Sequence, residues 1–128
     1  MLSLTWADFD AAIDHIAISV GNIKGVCGVP RGGLPLAVAI SHRLDVPFHI
    51  RAGKDILILD DIRDSGTTIA KSKLVYPQSP LFVWVTREKH PTDYRAVITD
   101  IGEDWVVFPW EDPCQAEQDR DRYMEAHP

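Results

Sequence analysis

Residues 56–68 read I-L-I-L-D-D-I-R-D-S-G-T-T, and no other stretch limits the fold as tightly. Ile56, Leu57, Ile58 and Leu59 place apolar side chains on both faces of an extended segment, the pattern of a strand buried on each side. Asp60 and Asp61 then leave the sheet at its carboxyl end, where open α/β sheets take their ligands. Neighbouring side chains of an extended chain point to opposite sides, so the two acids face different partners. Residues Asp64, Ser65, Gly66, Thr67 and Thr68 follow with backbone N–H groups, hydroxyls and the start of a helix, which together can cradle a phosphate. An acid pair alone also fits a strand turning polar as it meets solvent. A plain helix cap explains one residue of 64–68 but not all five. The GxxxxGK[ST] spacing and lysine of a P-loop are absent. Acids suited to sugar hydroxyls or a metal, beside a phosphate cradle, point to a phosphorylated sugar.

A second turn repeats the logic. Val29-Pro30-Arg31-Gly32-Gly33 follows a short apolar run at 24–29 and precedes a helix. The two glycines allow a ligand close to the backbone, and Arg31 offers a planar fork to phosphate oxygens. Taken alone, this turn reads more readily as punctuation between strand and helix, with a solvent-exposed arginine. A third motif, Asp104-Trp105-Val106-Val107-Phe108-Pro109-Trp110-Glu111, opens a strand with an aromatic that could stack on a flat heterocycle or simply anchor a core.

The remaining elements fall around these motifs. Trp6, Phe9, Ile13, Ile16, Ala17 and Val20 recur at helical spacing behind a Thr5 cap. Leu34, Ala37, Ile40 and Leu44 line a helix that is apolar nearly all round and is expected to be buried. Strands are expected at 46–50, 81–86, 96–98 and 106–108, a helix at 67–76, and a polar helix or tail at 113–125. Strands alternating with helices give an α/β domain with a mostly parallel sheet. Its expected extent is residues 1–112, with 113–128 as a C-terminal helix or tail.

Composition narrows the function classes. The 128-residue chain is 45% apolar and carries a net charge of −6, with no basic stripe to neutralise nucleic-acid phosphates. No apolar run is long enough to span a bilayer, and the start lacks the basic and apolar regions of a signal peptide. Cys27 and Cys114 make no disulfide framework, and no Cys/His cluster suggests zinc. A reducing cytoplasm is the expected setting. The histidines at 15, 42, 49, 90 and 127 lack metal-ligand spacing. Ser65 has no paired base in view, so nucleophilic catalysis is not indicated.

Taken together, these residues resemble the type I phosphoribosyltransferase family. Residues 56–68 are similar to its signature for phosphoribosyl pyrophosphate, and Arg31-Gly32-Gly33 resembles its pyrophosphate loop. The Thr5-Trp6 helix and residues 105–111 are similar to its xanthine-guanine purine branch. The resemblance spans roughly 5–111 and implies a three-layer, Rossmann-like fold with a mostly parallel central sheet flanked by helices. It implies a transferase of purine salvage, in which guanine, xanthine or hypoxanthine displaces pyrophosphate from phosphoribosyl pyrophosphate to give a nucleoside monophosphate. By that resemblance, Asp60 and Asp61 hold ribose hydroxyls and a Mg2+ shell, and residues 64–68 hold the 5′-phosphate. Arg31, Gly32 and Gly33 meet pyrophosphate, with a strained peptide near Pro30-Arg31, and Asp64 is the general base. Trp105 stacks on the purine, the Val106 backbone reads its edge, and Arg87 or Lys89 donates to its 6-oxo group. A homodimer or homotetramer is implied too.

The family's long mobile loop ahead of the acid-bearing strand is replaced here by Arg51-Ala52-Gly53-Lys54. Two other readings follow: a binding protein for phosphoribosyl pyrophosphate or a nucleotide without turnover, and a transferase for another base.

Overall fold

The computed structural model describes residues 1–63 and 79–126. They form two compact units: one of Met1–Ala11 with Glu103–Pro128, the other of Ala12–Gly102.

The larger unit is built on four parallel strands. They are β2 (Gly25–Gly28), β3 (Ile56–Arg63), β4 (Leu81–Thr86) and β5 (Arg95–Ile98), in the order β2-β3-β4-β5. Ile58 pairs with Leu81, Leu59 with Phe82 and Asp60 with Val83, so residues sharing a register position share a face. On one face, Ile58, Leu81 and Val83 pack with Tyr94, covered by Val29, Ala52 and Ala96. The other face carries Leu57, Leu59 and Phe82, all buried. Against it lies α2 (Gly33–Leu44), which packs on β2 and β3. The later half of α1 (Trp6–Ser19) covers Phe82, whose ring meets His15 edge-on at 6.0 Å. Arg95 clamps that arrangement, lying over Phe82 and donating to the Ser19 carbonyl at 2.6 Å.

α1 begins where the sequence places it. Thr5 Oγ1 accepts from the Asp8 N–H at 3.1 Å, and Asp8 Oδ2 accepts from the Thr5 N–H at 2.8 Å, a reciprocal cap. The Thr5 N–H and the Thr5 hydroxyl, both donating to Asp8 Oδ2, hold the Asp8 carboxyl below its ordinary range.

In the smaller unit, β1 (Leu2–Ser3) pairs in parallel with β6 (Val106–Val107). The helix α3 (Pro113–Ala126) is capped by Asp112, whose Oδ1 accepts from Cys114 and Gln115 N–H groups at 2.8 and 3.1 Å. Proline at the first helical position suits such a start. Trp6, Phe9, Phe108 and Trp110 cluster here, with Phe108 stacked on Trp110 at 5.3 Å.

Three expectations are corrected. Residues 46–50 form no strand. They make only an isolated bridge from Phe48 to Val26, because Pro47 has no N–H to extend a ladder, and Ile50 is 92% exposed. β3 does not end at Leu59 but runs through both acids to Arg63. In α2 the buried positions are Gly33, Leu36, Ala37 and Ile40, while Val38 is exposed, so the helix buries one face rather than all. The helix expected at 67–76 lies outside the described residues. No described helix is long and apolar enough to cross a membrane.

Leu59 is fully buried at the centre of β3. Leu59→Ala should cost about 2–5 kcal/mol in chemical denaturation, with the slope unchanged.

Candidate functional site

The carboxyl ends of β2 and β3 lie side by side, because Gly28 pairs with Leu59. The chain leaves β2 at Val29, whose N–H donates to the Leu59 carbonyl at 2.9 Å, and then turns sharply. Gly33 N–H returns to Val29 O at 2.8 Å and Leu34 N–H to Arg31 O at 3.1 Å. The Pro30–Arg31 peptide is cis.

Glycine at 32 and 33 is dictated by what lies beneath. A Cβ at Gly32 would overlap the Asp61 carboxylate, and one at Gly33 would overlap the Leu59 carbonyl. The turn therefore rests directly on the acid pair, with Arg31 exposed beside it. This brings together Arg31, Gly32, Gly33, Asp60 and Asp61, five of the expected ligand-holding residues.

The acids differ in environment. Asp60 is buried, while Asp61 is half-buried. Asp60 Oδ1 accepts the Asp61 N–H, and Asp61 Oδ1 accepts the Ile62 N–H, both at 2.8 Å. The Asp60 carboxyl is pushed up to about 8, with burial the largest cause. The Asp61 side chain contributes to that rise through hydrogen bonding and charge, against a lowering hydrogen bond from the Asp61 N–H. Near neutral pH the pair therefore tends to hold a proton that a cation could replace. Among the described residues no three His, Cys, Asp or Glu side chains cluster as a metal cage. A divalent ion at this pair would need further oxygens from substrate and water, as hard cations commonly take. The donor set fits Mg2+ on those terms.

The remaining expected residues divide. Asp64, Ser65, Gly66, Thr67 and Thr68 lie outside the described residues. Arg87 is half-buried and donates to the Gly102 carbonyl at 2.8 Å, whereas Lys89 is exposed. In the smaller unit, the Trp105 ring meets Tyr123 of α3 at 5.4 Å. The Leu2 and Leu4 N–H groups go to the carbonyls of Trp105 and Val107, so the alternation of the strand turns the Val106 carbonyl away from β1.

Sequence reasoning missed a cluster at the ends of β3 and β4. Arg63 pairs with Glu88 and lies over the Tyr94 ring at 5.3 Å, and Tyr94 reaches both Thr86 and Glu88. The available signal was Arg63 itself, a cation ending an otherwise apolar and acidic strand.

A parallel α/β sheet with a glycine turn seated on an acid pair at its carboxyl edge defines the phosphoribosyltransferase type of Rossmann-like fold. No protein-family model matches the chain. A xanthine-guanine phosphoribosyltransferase of Cereibacter sphaeroides is 28% identical over 118 residues, covering 71% of each chain. A purine phosphoribosyltransferase from Pyrococcus horikoshii superposes with a TM-score of 0.69 at 29% identity, covering 87% of this chain and 94% of that one. The xanthine-guanine-hypoxanthine phosphoribosyltransferase of Helicobacter pylori shares the fold, with a TM-score of 0.67 at 19% identity over 92% of this chain and 98% of that one. In sequence and in fold the chain is therefore similar to purine phosphoribosyltransferases of the type I class.

The Asp60 shift carries a stability consequence. Between the ordinary carboxylate value and about 8, the folded chain binds a proton that the unfolded chain has released. Stability from this group is therefore lost as pH rises through that window, by at most ~1.4 kcal/mol per pH unit. Asp60→Asn cannot ionise. Its melting temperature should gain on wild type from pH 5 to pH 8; a constant difference across that range would contradict the shift.

Proposed function

We propose that the protein is a Mg2+-dependent purine phosphoribosyltransferase. It transfers the 5-phosphoribosyl group of phosphoribosyl pyrophosphate to N9 of guanine, xanthine or hypoxanthine and releases pyrophosphate. The observation that carries the proposal is the seating of Arg31-Gly32-Gly33 on Asp60-Asp61. One side of that contact suits pyrophosphate and the other suits ribose hydroxyls. The similarity to purine enzymes supports the choice of base.

In this reading Arg31 and the turn's backbone orient pyrophosphate, and Asp60 and Asp61 hold the sugar hydroxyls. Bound Mg2+ supplies positive charge to the departing pyrophosphate. The breaking bond leaves positive charge on the ribose, which fixed carboxylates stabilise without reorganising. Asp64 takes the N7 proton as N9 attacks, residues 65–68 hold the 5′-phosphate, and Trp105 and Val106 serve the base. These last assignments rest on resemblance.

A second reading, binding without turnover, is favoured by the turn ahead of β3. Ile56 N–H and Ser79 Oγ both donate to the Gly53 carbonyl, at 3.0 and 2.5 Å, and Ala52 packs against the core. A turn so tied down is not a long lid, and a lid is what excludes water from an activated sugar.

Incubation with phosphoribosyl pyrophosphate, Mg2+ and each purine, followed by chromatography, tests both. Monophosphate formation is expected; calorimetric binding with no product from any purine would establish the second reading instead. Asp64→Asn should lower kcat by about 10²–10⁴ while leaving phosphoribosyl pyrophosphate affinity nearly intact. Gly32→Ala must push the Asp61 carboxylate aside. It should weaken phosphoribosyl pyrophosphate binding by about tenfold or more with the fold retained, read by calorimetry and melting.

A further inference from the structure

The cluster at the ends of β3 and β4 has no task in the reaction as proposed. Its hydrogen bonds close a ring. The Glu88 N–H donates to Thr86 Oγ1 at 3.2 Å, and the Tyr94 hydroxyl donates to Glu88 Oε2 at 2.9 Å. The Tyr94 proton is thereby spent, so the 2.6 Å contact between Thr86 and Tyr94 has the threonine donating. Arg63 completes the arrangement by pairing with Glu88 Oε1. The backbone is held as well, because the Glu88 carbonyl accepts from the Asp100 N–H at 3.0 Å. Thr86 and Tyr94 are buried, while Arg63 and Glu88 are half-buried.

Two features of placement give the ring meaning. Arg63 lies two residues beyond Asp61 on the strand that carries the acid pair. Glu88 stands between Arg87 and Lys89, the two cations able to meet an oxo group of a base. Arg87 already donates to the Gly102 carbonyl, while Lys89 is exposed. A partly exposed ion pair adds little to fold stability. What this one fixes is geometry, since a residue whose carboxylate is held by a guanidinium and a phenol, and whose backbone is bonded to Thr86 and Asp100, has few alternatives.

We infer that Glu88 is a positioning residue for the base: through Arg63 and Tyr94 it ties the acid-bearing strand to the segment that presents Lys89 to the purine. The inference rests on the proposed transferase reading and deepens it. Sugar and base must meet in one orientation for N9 to attack, and small misplacements of a recognition group are felt in the rate.

Steady-state kinetics with guanine varied at saturating phosphoribosyl pyrophosphate, and the converse, tests it. Glu88→Gln leaves the Arg63 charge unpaired and should raise the guanine KM about tenfold, with the phosphoribosyl pyrophosphate KM within about twofold. Tyr94→Phe should move the guanine KM in the same direction by less. Glu88→Gln combined with Lys89→Ala should be no worse than Lys89→Ala alone, because both act through one group. An unchanged guanine KM with a lowered melting temperature, or an equal rise in both KM values, would overturn the inference and leave the transferase reading standing. A wild-type protein inactive on every purine would overturn both. If Glu88→Gln does not fold, Tyr94→Phe and the Lys89 comparison decide.

Discussion

The close approach of Gly32 and Gly33 to β3 is the constraint on which the site depends. At Gly33 the Leu59 carbonyl leaves no room for a side chain, and at Gly32 a side chain fits only by displacing the Asp61 carboxylate. Gly28, at the end of β2, is under similar pressure, since its Cβ would lie 2.8 Å from the Gly33 carbonyl. Three glycines thus let the chain fold back over the sheet edge and start α2 directly above the acids. A larger residue at Gly28 or Gly33 would lift the turn from the sheet, and one at Gly32 would displace the Asp61 carboxylate. The same geometry gives α2 its seat on β2 and β3, so the contact that builds the site also orients half of one helical layer.

Electrostatics point the same way. The chain is acidic overall, and it nonetheless buries Asp60 beside a second carboxylate. Two acids held together out of water are unfavourable unless one stays protonated or a cation joins them. Among the described residues no lysine or arginine pairs with either. The nearest cation along the strand, Arg63, is committed to Glu88 instead. Among the described residues the acid pair therefore has no basic partner, an arrangement costly for a fold and typical of a binding site.

Much of this was legible from residues alone. The run 81–86 has no polar residue before Thr86 and is a fully buried strand. The Thr5 cap started α1 because Thr-x-x-Asp offers two reciprocal hydrogen bonds regardless of tertiary context. The misreadings have physical reasons. Polarity suggested that β3 ends at Leu59, but strand pairing is a backbone property, and Val83, Val85 and Thr86 continue to pair with Asp60, Ile62 and Arg63. Apolar content suggested a strand at 46–50, but pairing stops at the Val26 bonds to the Pro47 carbonyl and His49 N–H, since Pro47 has no N–H to extend it. Arg63, Glu88, Thr86 and Tyr94 are separated by up to 31 positions in sequence and converge only through strand order. No local pattern could announce that convergence.

The turn at 51–55 closes the argument, because it sets what must shield a reacting sugar. Asp55 takes a left-handed backbone at φ 64°, its carbonyl accepts from the Lys24 N–H at 2.8 Å, and Gly53 receives Ser79 and Ile56. Every residue spent on these contacts is unavailable to move. Arg51 and Lys54 remain exposed on this turn and can bring charge toward a pyrophosphate, but four residues cannot also fold over it. Efficient transfer on this scaffold therefore requires water to be excluded by something other than the β3 entry loop. If nothing does so, hydrolysis of the activated sugar should compete with transfer, and the ratio of free ribose phosphate to nucleotide measures how well the site is covered.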